Sequence, residues 1–365
     1  MIIVMNLNAG EAAVEAVIHK IRDQGLDVNV SRGTERVVIG AIGDERKLRE
    51  EAFSTMAGVE QAIHVLKPYK IVAREWHRAD STIRVRGVPI GGPAVQVIAG
   101  PCSVETQAQM DLAAKCVAEA GCRLMRGGAF KPRTSPYAFQ GHGKACLPYV
   151  FELAGKYGIK VIAMEVTHES HIEEIRDALE RTGNPTGVML QIGTRNTQNF
   201  ELLKIAGRQK NFPVLLKRGL GITLDESLNA AEYLASEGNG RVVFGLRGMK
   251  TNMGDPHRNF VDFAHVPVVR RLTRMPVCVD PSHSVGSRAQ APDGLLDIFH
   301  VTAQGVLAGA NMILVDFHPN PAKALVDGPQ ALLLKELPHF LQDVGIARDA
   351  YLRRVELAPT LREAA

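Results

Sequence analysis

Residues 213–248 read PVLLKRGLGITLDESLNAAEYLASEGNGRVVFGLRG. Two short apolar runs, PVLLKRG (213–219) and RVVFGLRG (241–248), enclose LDESLNAAEYLASEG (224–238), whose apolar residues recur at helical spacing. Neither run alternates apolar with polar as a half-solvated strand does. Both faces are therefore buried, as in a parallel sheet whose crossovers are helices. Each run also ends in a cation, Lys217 or Arg247.

The same unit recurs along the chain. Candidate strands are VQVIAG (95–100), CRLMRG (122–127), IKVIAMEV (159–166), GVMLQIG (187–193), PVCVDPSH (276–283) and NMILVDFH (311–318), with helical segments such as TQAQMDLAAKCVAEAG between them. With the opening pair this makes eight βα units over roughly 250 residues, the pattern of an α/β fold of the (β/α)8 TIM-barrel type. A doubly wound open sheet shares that local pattern, but the first βα turn, GPCSVE, has no GxGxxG. Residues 95–350 are expected to form the barrel and 351–365 a C-terminal tail.

A different period precedes it. IIVMNL, LDVNVS, ERVVIGAI and VEQAIHVLKP read as strands, and EAAVEAVIHKIRDQ and ERKLREEAFSTM as helices. The order β-α-β-β-α-β predicts a ferredoxin-like (ACT-like) α+β domain over residues 1–80. Residues 81–94 would be a linker in which IRVRGVPIGGPA makes a short hairpin.

Composition narrows the function classes. The chain has 365 residues, 45% of them apolar, and a formal net charge of +4. No Lys/Arg block forms a nucleic-acid footprint, no apolar run spans a membrane, and no leader pattern opens the chain, so a soluble cytoplasmic protein is expected. Five cysteines without CxxC spacing argue against a disulfide framework. Cys116, Cys122 and Cys278 fit the core, and His168 and His171 fit a helix start after Thr167.

The strand ends carry the chemistry. They are Gly100-Pro-Cys-Ser, Arg126 to Thr134, Glu165, Gly193-Thr-Arg195, Lys217-Arg218, Arg247, Asp280-Pro-Ser-His283 and Asp316-Phe-His318. A single basic loop end is ordinary solvated surface. In a TIM barrel all eight converge on one mouth. Arg126, Lys131, Arg133, Arg195, Lys217 and Arg247, with Thr134, would then suit phosphate or carboxylate oxygens. Cys102, His283, Asp316 and Asp327 would form a mixed thiolate, imidazole and carboxylate set for a divalent transition metal. Glu165, ending an otherwise apolar strand, should face the pocket and act on water or a proton.

VIAGPCSVET, RGGAFKPRTSPYAFQG, QIGTRNTQNFELL, PVLLKRG, VDPSHS and HPNPAKALVDGPQAL together resemble the 3-deoxy-D-arabino-heptulosonate 7-phosphate synthases, class I. SRGTERVVIGAIGDER and HVLKPYKIVARE resemble the regulatory domain of their microbial subgroup. The resemblance implies condensation of phosphoenolpyruvate with erythrose 4-phosphate and a divalent metal, Mn2+ before Co2+, Fe2+ or Zn2+. It further implies a homotetramer and feedback inhibition by tyrosine or phenylalanine. It assigns Arg195, Lys217 and Arg247 to the phosphoenolpyruvate phosphate, Arg126 and Lys131 to its carboxylate, and Arg133 and Thr134 to the aldose phosphate. Lys131 would donate a proton, Glu165 would place the attacking water, and Cys102, His283, Asp316 and Asp327 would hold the metal. Three positions depart from the family's pattern. Asp316 stands where glutamate is usual, Leu246 precedes Arg247 where the subgroup has glutamate, and Asn29 replaces an inhibitor-site histidine, whereas Ser31 matches. A paralogue using another aldose, or a metal-free amino-acid sensor, are the alternative readings.

Overall fold

The computed structural model describes residues 1–33, 36–43, 48–63 and 68–358, which fall into two compact units, Met1–Ala79 and Asp80–Ala365. In the first unit the order is β1 (Ile2–Met5), α1 (Glu11–Arg22), β2 (Asp27–Arg32), β3 (Val37–Ile42), α2 (Glu50–Ser54) and β4 (Val59–Ile63). The strands form one antiparallel sheet in the order β2-β3-β1-β4, the ferredoxin-like arrangement. Residues 45–47 of the helix expected over 45–56 and residues 64–67 of the strand expected over 59–68 lie outside the described residues.

Alternation gives this sheet two faces. Ile3, Ile39 and Ala41 join Val14, Val17, Ile21 and Phe53 of the helices in the core. Asn29 and Ser31 pair with Gly40 and Val38, and belong to the opposite face. Trp76 is buried there against Ile2, with Val4 and Val38 packed beside it. A Cβ on Gly40 would overlap the indole, so glycine is the residue that lets the ring lie flat on the strand.

The second unit is a closed barrel. Its parallel strands are β7 (Gln96–Gly100), β8 (Leu124–Arg126), β9 (Val161–Val166), β10 (Gly187–Ile192), β11 (Val214–Lys217), β12 (Val242–Leu246), β13 (Val277–Val279) and β14 (Met312–His318). Neighbours pair in sequence order, β14 pairs with β7, and β13 pairs with β14, which closes the ring. Between strands lie α3 (Gln107–Glu119), α4 (Leu147–Lys156), α5 (Glu169–Arg181), α6 (Phe200–Gly207), α7 (Leu224–Ser236), α8 (His265–Leu272), α9 (Pro281–Val285) and α10 (Asp297–Leu307). α7 starts in a capping box between Thr223 and Glu226.

Three differences from the sequence reading matter. PVCVDPSH does not run on as a strand: β13 stops at Val279, and Asp280 caps α9 with Pro281 in its first turn. α5 is capped by His168 rather than Thr167, since His168 Nδ1 accepts from Ser170 N. Cys278 is buried in the barrel, whereas Cys116 and Cys122 are only partly buried.

The hairpin of β5 (Ile83–Val85) and β6 (Val88–Ile90) is a structural part of the barrel unit. Arg86 and Gly87, at φ 47° and 81°, supply the left-handed turn that so short a hairpin needs. Its Ile83, Val85, Val88 and Ile90 share one apolar cluster with Ile98, Leu124, Val161, Met189, Leu215, Val243, Cys278 and Met312. The apolar interior thus lies toward the strand N-termini. The final helix, α11 (Leu337–Glu356), continues past residue 350, where a tail was expected. No helix among the described residues is long and apolar enough to cross a membrane.

Candidate active site

The barrel interior turns from apolar to charged within one strand period. Leu124, Ala163, Leu215, Cys278 and Leu314 belong to the inner cluster, and two residues further along stand Arg126, Glu165, Lys217 and Asp316 on their strands and Asp280 just past the end of β13. A spacing of two keeps a side chain on the same face, so these five form the next layer toward the strand C-termini. Above them opens a cavity of about 430 Å³ whose lining includes Lys131, Arg133, Arg195, Lys217, Arg247 and Glu165. Its volume suits a small metabolite.

The loop after β8 brings Lys131 over this layer. Gly128 permits the approach: a Cβ there would stand 2.6 Å from Cys102 O and 2.8 Å from Lys131 Nζ. Lys131 Nζ donates to Glu165 Oε2 at 3.3 Å. Burial works against the ammonium, but Cys102 and Glu165 nearby raise its pKa above the usual lysine value. Lys131 is therefore a protonated donor at neutral pH.

The other cations differ in how they are compensated. Lys217 Nζ donates to Asp280 Oδ2 at 2.6 Å, both buried, and Arg126 makes a close buried pair with Asp316. Arg126 lies below the cavity lining and also donates from Nη2 to Cys102 Sγ at 3.3 Å. Arg218, next to Lys217, turns the other way and is held by Asp262 at 3.1 Å and His265 at 2.7 Å, away from the cavity. Arg247 is 4% exposed, and its Nε has no partner among the described residues. Its hydrogen bond runs from Nη1 to Gly248 O at 3.5 Å. Burial lowers its pKa from the usual value. Arg133 likewise leaves a buried Nη1 unpaired, and Arg195 Nη2 donates to Thr134 Oγ1 at 3.3 Å. Unpaired buried donors on Arg133 and Arg247, two residues that line the cavity, suit an anionic ligand.

On one side of the cavity Cys102, His283, Asp316 and Asp327 each offer a donor atom, all within 4.8 Å of one another. Cys102 Sγ donates to Asp327 Oδ2 at 3.1 Å, and His283 Nε2 lies 3.5 Å from the same oxygen. Asp280 orients the imidazole: its Oδ1 accepts from His283 N at 3.1 Å and lies 3.0 Å from Nδ1. A carboxylate behind one histidine nitrogen directs the other at a metal, the usual outer-shell arrangement. Burial alone would lower the His283 pKa, but Asp280 and Asp316 raise it to about 10. Asp327 sits at φ 54°, a costly conformation for a residue with a Cβ, and this turns its carboxylate into the cluster. The donor set fits a divalent transition metal.

The strand ends, Asp280 among them, are legible in sequence, but the contact of Asp280 with His283 and the parts taken by Arg258 and Gln330 are not. Asp-Pro at 280–281 was a readable helix start. Arg258, which donates to Asp327 Oδ1 at 3.0 Å, and Gln330 carry no such signal.

Residues 71–349 match the model of the DAHP synthetase I family, and residues 1–67 that of the DAHP synthase ferredoxin-like domain. The phospho-2-dehydro-3-deoxyheptonate aldolase of Thermotoga maritima is 39% identical over 350 residues, covering 96% of this chain and 98% of its own. The 2-dehydro-3-deoxyphosphooctonate aldolase of Syntrophotalea carbinolica is 28% identical over 285 residues, covering 74% of this chain and 97% of its own. The crystal structure of the Thermotoga enzyme matches with a TM-score of 0.71 at 38% identity, over 96% of this chain and 97% of that one. A truncated form of 3-deoxy-D-arabino-heptulosonate 7-phosphate synthase from the same organism matches with a TM-score of 0.67 at 35% identity, over 77% and 97%.

Proposed function

The chain belongs to the DAHP synthetase I family, and on that premise we propose that it condenses phosphoenolpyruvate with erythrose 4-phosphate, using one bound divalent cation and restrained by an aromatic amino acid. Enzymes of this family are transferase-type aldolases at the first step of the shikimate pathway. The observation that carries the reading is Arg247, a buried guanidinium lining the cavity whose Nε has no acceptor among the described residues. A phosphate or carboxylate would supply it.

Arg195, Lys217 and Arg247 hold the phosphoenolpyruvate phosphate, and Lys131, with Arg126 beneath, takes the carboxylate. Arg133 and Thr134 hold the phosphate of the aldose, and the Arg195 to Thr134 hydrogen bond ties the two anion sites together. Cys102, His283, Asp316 and Asp327 would hold the metal, Mn2+ being the first candidate. When bound it supplies Lewis-acid polarisation of the aldehyde. The enol carbon forms a bond to the aldehyde carbon, and the aldehyde oxygen takes a proton from Lys131 Nζ. Glu165 orients water for addition to the neighbouring, phosphate-bearing carbon, which the new bond leaves as a cation, and accepts the water's proton. Inorganic phosphate then leaves with its bridging oxygen. Fixed positive charge and positioning carry most of the catalysis in such a site.

In the first unit, Asn29 and Ser31 on the face bearing Trp76 are the candidate inhibitor contacts. A cytoplasmic homotetramer completes the reading. One assay tests it: purified protein with Mn2+, phosphoenolpyruvate and a panel of aldose phosphates, following loss of the enolpyruvate absorbance. Turnover with erythrose 4-phosphate, lost with chelator and lowered by tyrosine or phenylalanine, is expected. Absence of turnover with every aldose and metal would overturn the enzyme reading, and preference for another aldose would overturn the substrate.

A further inference from the structure

Gln330 has none of the roles assigned above, yet it is 1% exposed and surrounded by charge. Its Nε2 donates to Asp316 Oδ2 at 2.6 Å, and its Oε1 accepts from Arg258 Nη1 at 2.8 Å. The same Arg258 nitrogen donates to Asp327 Oδ1 at 3.0 Å. Asp316, Gln330, Arg258 and Asp327 are therefore one hydrogen-bonded chain joining the two carboxylates of the candidate metal cluster. Because both amide atoms are used, the amide has a single orientation.

The backbone places Gln330 for this task. It ends the 3-10 turn Gly328–Gln330 that Asp327 opens in a left-handed conformation, and Gln330 N donates back to Asp327 O at 3.3 Å. The turn that aims Asp327 at the cluster thus also delivers the amide to Asp316. Asp316 has one fewer side-chain torsion than glutamate, and its other oxygen is engaged by Arg126. Its carboxylate is therefore oriented by donors on both oxygens. A neutral amide is also the group that can satisfy one carboxylate while accepting from the arginine that holds the other.

We infer that Gln330 is a positioning residue that fixes Asp316 and, through Arg258, Asp327, and so sets the affinity of the Cys102, His283, Asp316 and Asp327 cluster for a divalent cation. This rests on the metal reading above. Outer-shell partners of metal-bound carboxylates typically change affinity about 10- to 100-fold when removed.

The test is Mn2+ binding by the full chain, followed by the electron paramagnetic resonance signal of free Mn2+ and by the rise in melting temperature on adding Mn2+. Gln330→Met keeps the length of the side chain and deletes both hydrogen bonds. It should weaken Mn2+ binding about 10- to 100-fold and shrink the metal-induced rise in melting temperature, beyond any fall in the metal-free melting temperature that comes from leaving Asp316 Oδ2 without its donor. Gln330→Asn, a milder change, should weaken binding less, and it decides the matter if the methionine variant does not fold. Unchanged Mn2+ affinity in the folded variants, with wild type binding normally, overturns the inference alone. Absence of Mn2+ binding by wild type overturns it together with the metal reading.

Discussion

Glu165 occupies the space in which a side chain on Gly193 would begin. A Cβ built on Gly193 overlaps Glu165 Oε1, although the two residues belong to adjacent strand ends. The carboxylate thus leans across the end of β10, with its other oxygen 3.3 Å from Lys131 Nζ. Gly193→Ala should push it aside and lower kcat about 100-fold, the scale of a 1 Å misplacement, with little change in KM for phosphoenolpyruvate. Steady-state kinetics on a variant that melts normally would reveal this. A wild-type kcat would mean that Glu165 does not place the water.

Arg247 combines deep burial with an unpaired Nε, so it burdens the empty fold and serves the filled one. Arg247→Met should raise KM for phosphoenolpyruvate about 10- to 100-fold, the loss of a charge-assisted hydrogen bond of about 1.5–3 kcal/mol. The melting temperature should stay level or rise, because an apolar side chain of similar length removes a desolvated charge. A fall in both affinity and stability would mark Arg247 as a structural residue.

Asp280 serves three donors, Lys217 Nζ, His283 N and His283 Nδ1. Asp280→Asn strands the Lys217 ammonium, 5% exposed, without its counter-charge. Unfolding in urea should show a loss of about 3–5 kcal/mol, the usual cost of breaking a buried pair. Adding Lys217→Met should recover part of it, and a double-mutant cycle measures the coupling. Strict additivity of the two substitutions would refute the pairing.

His171 stacks on Phe130, next to Lys131, with ring centroids 3.7 Å apart, and its Nδ1 accepts from Thr167 N at 3.2 Å. Burial, helped by His168, pushes its pKa below the ordinary histidine value. The folded state therefore binds the proton less readily than the unfolded chain. This contribution to stability is complete above the unfolded value of about 6.5 and is lost as pH falls through it toward the folded pKa. Melting temperatures from pH 8 to 5 for wild type and His171→Phe should converge or cross as pH falls. A constant difference between them would exclude His171 as the titrating group.

Much of this site could be read along the chain. In IKVIAMEV the period of two carries Val161 and Ala163 inward, so Glu165 had to follow them into the barrel. The same step leads from Leu215 to Lys217 and from Leu314 to Asp316. The glycines and proline of RGGAFKPRTSP announced a loop bent close to something. Local rules decide such features, because backbone periodicity and turn conformation depend on nearest neighbours.

The amino-acid order alone thus determined the number of βα units, the inward face of strands such as β9, β11 and β14, and the charged residues that end them. Tertiary structure alone decided which charge each residue meets. Lys217 finds Asp280 and Arg126 finds Asp316, 63 and 190 positions apart, and Gln330 comes to lie between two carboxylates. Coulomb and hydrogen-bond energies depend on distance through space. Those distances exist only once β14 has paired with both β7 and β13 and the ring has closed.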